Sequence, residues 1–155
     1  MASKRVLVVD DEECFREWIE HVLAGAGYAP VTAVDGVEAF GKYNSARSST
    51  QPFELLITDL VMPGISGAEL VGKVVETEPF LPLIVVSGKH DAESVRETLY
   101  AGSWEFLQKP CKKDELLAVV KRAFEKAAIL QAEAHKYTVM NSLINVERQQ
   151  SQGRR

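Results

Sequence analysis

Five side chains in this 155-residue sequence stand where they could do chemistry together: the carboxylates of Asp10, Asp11 and Asp59, the hydroxyl of Ser87 and the ammonium of Lys109. Each closes, or directly follows, a short apolar run: RVLVVD (Arg5–Asp10), FELLITD (Phe53–Asp59), LIVVS (Leu83–Ser87) and WEFLQ (Trp104–Gln108). Carboxylates crowded at one place repel one another and need a cation. Oxygen-only ligands favour a hard ion such as Mg²⁺, which binds few carboxylates and keeps several waters. Such an ion leaves positions open for phosphoryl oxygens, and a carboxylate beside it can act as a nucleophile and form an aspartyl-phosphate. Lys109 can offset the charge of a transferring group, and Ser87 can hydrogen-bond one of its oxygens.

The elements that must gather these groups alternate between strand and helix. Glu12–Ala26 carries apolar residues at helical spacing, through Phe15, Trp18, Ile19, Val22 and Leu23. Ala29–Ala33 reads as a second strand. Asp35-Gly36-Val37-Glu38 has the spacing of a capping box and opens a helix to about Asn44, followed by the polar loop Ser45–Gln51. Leu60–Ile65 holds Pro63 and Gly64 and is a loop. Ser66 and Glu69 form a second capping box, on a helix that ends near Pro79. Asp91 caps a helix from Ala92 to about Ala101, Gly102 ends it, and a last helix starts near Lys112–Asp114. The strands are nearly continuous apolar runs, which implies burial on both faces and hence a parallel sheet between two helix layers. Sites in such sheets form at the carboxyl ends of the strands, where all five side chains fall.

Taken singly, each residue has an ordinary explanation. Asp10-Asp11 could be a solvated strand end, Asp59 a turn cap and Lys109 a surface lysine. Their coincidence at four strand ends is what favours a site. Cys111, His90 and His21 read as plain loop or surface residues, and Trp18 and Trp104 as packing or partner-surface residues.

Four segments carry a resemblance. VLVVDDEE (Val6–Glu13), TDLVMPGISG (Thr58–Gly67), VVSG (Val85–Gly88) and FLQKP (Phe106–Pro110) resemble, in order and spacing, the signatures of response-regulator receiver domains of two-component signalling systems. The resemblance covers residues 4–125 and implies an α/β, flavodoxin-like, doubly wound five-stranded parallel sheet in the order 2-1-3-4-5. It implies a phosphoacceptor switch rather than an enzyme. Asp59 would take the phosphoryl group from a sensor histidine kinase or a phosphotransfer protein. Asp10, Asp11, Asp59 and the backbone carbonyl of Val61 would hold Mg²⁺. Ser87 would be the switch hydroxyl, Lys109 the phosphoryl contact and Phe106 the aromatic switch, with a cis Lys109–Pro110 bond. Phe106 lacks the hydroxyl of the tyrosine common there, so its readout would rest on ring burial. Val61 and Lys89 flank the site and are expected to tune the phosphoryl lifetime. Output would pass through the face made by the helix after strand four, strand five and the last helix.

The last helix runs on without Pro or Gly to about Gln150, a rod of about 50 Å. Leu116, Val120, Ala123, Ala127, Leu130, Ala134, Tyr137 and Ile144 alternate spacings of four and three, with Asn141 at the missing place. Residues 126–150 are therefore expected to form a helical extension that dimerises as a coiled coil or docks on another module, and residues 151–155 a disordered tail. His135 could relay phosphate from this helix, but AEAHKYTVMNSL fits no transmitter motif well.

Composition narrows the classes. Apolar residues make up 46% of the chain and charged residues 26%, so a core can form. No signal peptide or membrane-spanning run is visible, so a cytoplasmic protein is expected. Neither Cys14 nor Cys111 has a CxxC partner or a histidine at ligand spacing, which argues against zinc and disulfides. Residues 1–111 hold 9 Lys and Arg against 17 Asp and Glu, while residues 112–155 hold 9 against 5. That acidic body argues against nucleic-acid binding by the main domain. Two other functions compete: a Mg²⁺-dependent phosphohydrolase with an Asp nucleophile, and a phosphorylation-independent scaffold. The hydrolase needs an acid/base Asp two residues after the nucleophile, where this chain has Val61.

Overall fold

The computed structural model describes residues 2–88, Glu93, Arg96, Leu99 and 102–154. Five strands, β1 (Arg5–Val9), β2 (Ala29–Ala33), β3 (Leu55–Thr58), β4 (Leu83–Ser87) and β5 (Glu105–Gln108), form one parallel sheet in the order β2-β1-β3-β4-β5. That is the expected doubly wound order. Around it lie α1 (Glu13–Gly25), α2 (Gly36–Arg47), α3 (Gly67–Thr77) and α4 (Lys113–Gln152). Glu93, Arg96 and Leu99 are helical and exposed. The rest of the expected helix from Ala92 to Ala101, with Asp91, Lys89 and His90, lies outside the described residues.

The continuous apolar strands have a direct explanation. Successive side chains point to opposite faces. Leu7, Val9, Leu56, Leu83 and Val85 pack under α2 and α3, whereas Val6, Val8, Leu55, Ile57, Ile84 and Val86 pack under α1 and α4. Each central strand thus feeds two cores, and an alternating pattern would leave one of them polar. The edge strands β2 and β5 are only half-buried over most of their length.

Helix starts follow the capping reading. The Asp35 side chain accepts a hydrogen bond from the Glu38 amide at 2.8 Å, and Ser66 accepts one from the Glu69 amide at 3.2 Å. Glu38 reaches back one residue further than a capping box requires, accepting from the Val34 amide at 3.1 Å. Three expected boundaries need correction. α2 runs to Arg47 rather than Asn44, because Ala46 is buried against the core and nothing in Ser45–Arg47 breaks a helix. β3 is shorter than Phe53–Asp59, since its pairing partner β1 spans only Val6–Val9 there. α4 continues to Gln152, taking in two residues read as tail.

α4 has 40 residues, a rod of about 60 Å. Its first turns bury Leu116, Val119, Val120, Ala123 and Ala127. Beyond Ala128 the sheet ends, and Ile129, Tyr137, Val139, Met140, Leu143, Ile144 and Val146 are exposed. The buried and exposed faces of these first turns should differ in energetic weight. Leu116→Ala is expected to lower unfolding free energy by about 2–5 kcal/mol in urea titration. Lys121→Ala, on the exposed side of the same helix, should stay within about 0.5 kcal/mol of the parent.

Candidate functional site

The strand order reverses between β1 and β3, because β2 lies on one side of β1 and β3–β5 on the other. Connections leave this point toward opposite faces and open a crevice at the carboxyl ends of the strands. β1 delivers Asp10 there and β3 delivers Asp59. The Asp59 amide donates to the Val9 carbonyl at 2.9 Å, and the Asp10 amide donates to the Ala33 carbonyl at 3.2 Å, so the sheet's own ladder fixes both backbones. Lys109 is placed the same way, its amide donating to the Ser87 carbonyl at 2.9 Å. The Lys109–Pro110 bond is cis, as expected.

The side chains converge. Carboxylate oxygens of Asp10, Asp11 and Asp59 all lie within 4.8 Å of one another. The Lys109 Nζ donates to Asp10 Oδ2 at 2.7 Å and to Asp59 Oδ2 at 3.2 Å. Glu12 Oε2 stands further off, at 4.0 Å from the same ammonium. Asp10, Asp59 and Ser87 are buried, while Asp11 is exposed at the mouth. The remaining oxygens are held locally: Asp10 Oδ1 accepts from the Glu12 amide at 2.8 Å, and Asp59 Oδ1 accepts from the Leu60 amide at 2.7 Å. A cavity of about 610 Å³ opens onto Asp11, Asp59, Ser87 and Lys109.

Electrostatics mark a shortage of positive charge. Burial pushes the Asp10 carboxyl above the usual carboxylate range, against the hydrogen bonds from Lys109 and the Glu12 amide. Burial alone would lower Lys109, but its hydrogen bond to Asp10 and the attraction of Asp59 and Asp10 outweigh that and raise it. Among the described residues, the Lys109 ammonium faces three clustered carboxylates, all of them oxygen donors. That donor set fits a hard divalent cation, and Asp10, Asp11 and Asp59 are the residues able to hold it.

The remaining expected residues fall as follows. Val61 is exposed and borders the same cavity. Phe106 is half-buried and packs against the core under α2 and α3. Lys89 lies outside the described residues. Cys14 is exposed and Cys111 half-buried; both are free, and burial pushes the Cys111 thiol up. His135 is exposed on the projecting helix. Trp104 immediately precedes β5 and lies beneath the Lys126 ammonium, at 5.2 Å from the ring centre.

With this geometry in view, the chain matches the response regulator receiver domain family over residues 6–121. The chain belongs to that family. It is 34% identical over 118 residues to the DNA-binding transcriptional regulator NtrC of Escherichia coli K12, covering 76% of this chain and 24% of that protein. It is 31% identical over 157 residues to response regulator MprA of Mycobacterium ulcerans, covering 99% of this chain and 66% of that one. Among solved structures, chemotaxis protein CheY4 of Vibrio cholerae superposes with a TM-score of 0.72 at 33% identity, over 79% of this chain and 99% of that chain. The chain thus spans about a quarter of the length of the NtrC relative. A receiver domain of this family is a signalling switch of two-component systems, not a turnover enzyme in the usual sense.

Two residues of this receiver domain, Arg16 and Gly67, escaped the sequence reading. Arg16 Nη1 donates to the Asp10 carbonyl at 2.8 Å and pins the turn between β1 and α1. Gly67 sits inside the segment Thr58–Gly67, but no reason for a glycine there was visible. Its amide donates to the Leu60 carbonyl at 2.9 Å, and a Cβ on it would meet the Asp59 carbonyl oxygen at 2.0 Å. Helix α3 can approach the acid-bearing turn only because that position has no side chain. Gly67→Ala is expected to cost about 1–3 kcal/mol in urea unfolding and to shift the Leu60 and Asp59 amide resonances. Gly25→Ala, with nothing within 4 Å, should leave both unchanged or raise stability slightly.

Proposed function

We propose that this receiver domain is a cytoplasmic phosphoacceptor that takes a phosphoryl group on Asp59 from a sensor histidine kinase or a phosphotransfer protein. The observation that carries this reading is the Lys109 ammonium, which bridges Asp10 and Asp59 at the topological switch point. The Asp59 carboxylate attacks phosphorus, an acyl phosphate forms, and the bond to the donor's imidazole nitrogen breaks with the electron pair leaving on nitrogen. Lys109 is placed to balance negative charge on the transferred group. Ser87, buried at the end of β4, is assigned the hydrogen bond to a phosphoryl oxygen. A Mg²⁺ ion held by Asp10, Asp11, Asp59 and the Val61 carbonyl would supply further charge neutralisation.

Incubation with acetyl phosphate and Mg²⁺ should add the mass of one phosphoryl group, and Asp59→Asn should abolish the addition. Steady phosphate release without a stoichiometric adduct would instead support the hydrolase reading, and neither product would support the scaffold. Magnesium alone should raise thermal stability, by about 2.7 kcal/mol at a hundredfold excess over its dissociation constant, and Asp11→Ala should weaken that gain. Val61 and Lys89 are assigned a role in phosphoryl lifetime. Equal dephosphorylation rates in the parent, Val61→Asn and Lys89→Glu would remove it.

The signal is assigned to a change at Ser87 and Phe106, passed to the face formed by the helix between β4 and β5, β5 itself and α4. Without a hydroxyl, Phe106 acts through the burial of its ring. Residues 126–150 are read as the seam of a homodimer or as the link to an output domain or partner protein. Exposure of Ile129, Tyr137, Met140, Leu143 and Ile144 on a helix with no sheet beneath it supports that reading. In sedimentation experiments the chain should weigh as a dimer, and a version ending at Ala128 as a monomer. A monomeric mass for the whole chain, with and without phosphorylation, would rule out the homodimer.

A further inference from the structure

We propose that Phe15 is a positioning residue for Lys109, its ring face holding the ammonium over the site while the ammonium exchanges hydrogen-bond partners. The inference rests on the phosphoacceptor reading above. By spacing alone Phe15 is the first residue of the apolar stripe of α1, and any large hydrophobe would serve there. The structure gives it a second neighbour: the Lys109 Nζ lies 4.2 Å from the centre of the Phe15 ring. At that distance the negative face of an aromatic ring attracts a cation, more strongly when water is excluded. Lys109 meets that condition, since its side chain is 11% exposed.

The surroundings explain why a ring suits this place. Phe15 is half-buried, steadied by the Trp18 ring at 5.5 Å, and borders the same cavity as Asp59 and Lys109. Two of the ammonium's contacts are to Asp10 and Asp59. A competing carboxylate, Glu12, is 4.0 Å away and 67% exposed at its side chain. When a phosphoryl oxygen arrives, Lys109 must turn from a carboxylate toward it. A ring attracts the ammonium without accepting one of its protons in a fixed direction, so this contact survives the turn. It also biases Lys109 away from Glu12.

Two measurements on the whole chain test this. In the magnesium-free protein, the ε-methylene protons of Lys109 should resonate upfield of those of the other lysines, and Phe15→Leu should remove that shift. Fluorinated phenylalanines placed at position 15, with one to three ring fluorines, keep the shape and weaken the ring face. The rate of Asp59 phosphorylation by acetyl phosphate should then fall stepwise, by about three- to tenfold across the series, with Phe15→Tyr near the parent rate. Thermal stability and magnesium affinity should hold constant throughout the series. Lys109 protons at ordinary positions, or a flat rate across the fluorine series, would overturn the assignment. A parent protein that forms no adduct would overturn the phosphoacceptor reading instead, while the proton shifts would still report on the contact between ring and ammonium.

Discussion

The half-buried ammonium of Lys109 between two buried carboxylates is the contact on which the rest of this structure turns. Lys109 reaches Asp10 at 2.7 Å and Asp59 at 3.2 Å, bringing together the ends of β1, β3 and β5. A buried ion pair of this kind is a poor source of stability, because desolvating its members costs about as much as their attraction returns. Its value lies in what it prepares. Asp10, Asp11 and Asp59 gather more carboxylates than Lys109 can balance, so the cluster is an oxygen-donor set suited to added positive charge.

The fold is arranged to hold that cluster still. Both acids sit at the carboxyl ends of central strands whose amides are tied to neighbouring strands, and their backbones have little freedom to relieve the crowding. Gly67 lets α3 close against the Asp59 carbonyl, and Arg16 ties α1 to the Asp10 carbonyl. The two cores beneath, fed alternately by each strand, supply the rigidity. The site is therefore an exposed mouth over a closely packed floor, with Asp11 and Val61 at the rim and Asp10, Asp59 and Ser87 below.

The long helix α4 serves two purposes along one element. Its first turns complete the core under β1, β3 and β4, and its later turns leave the domain with their apolar residues uncovered. Because the helix is continuous, a displacement at its packed end is carried to its projecting end without a hinge. That gives a continuous mechanical connection from the packed end of α4 to its far end.

Much of this was legible in the residues themselves. Strand-length apolar runs, capping residues at Asp35 and Ser66, and acids at strand ends follow from local physics, and they determined the element order, the sheet class and the positions of Asp10, Asp11, Asp59, Ser87 and Lys109. Boundaries were less legible at α2 and β3. Ala46 is helical because it finds a core to enter, and β3 is short because β1 is; neither reason is local. The contacts between side chains far apart in the chain were decided only by the tertiary structure. Phe15 looked like an ordinary core residue and Gly67 like the first residue of the helix that Ser66 opens. Nothing within its segment specifies that Phe15 would face the Lys109 ammonium, because that neighbour arrives only when the strands align, and the closeness of Gly67 to the Asp59 carbonyl depends on how α3 packs over the turn.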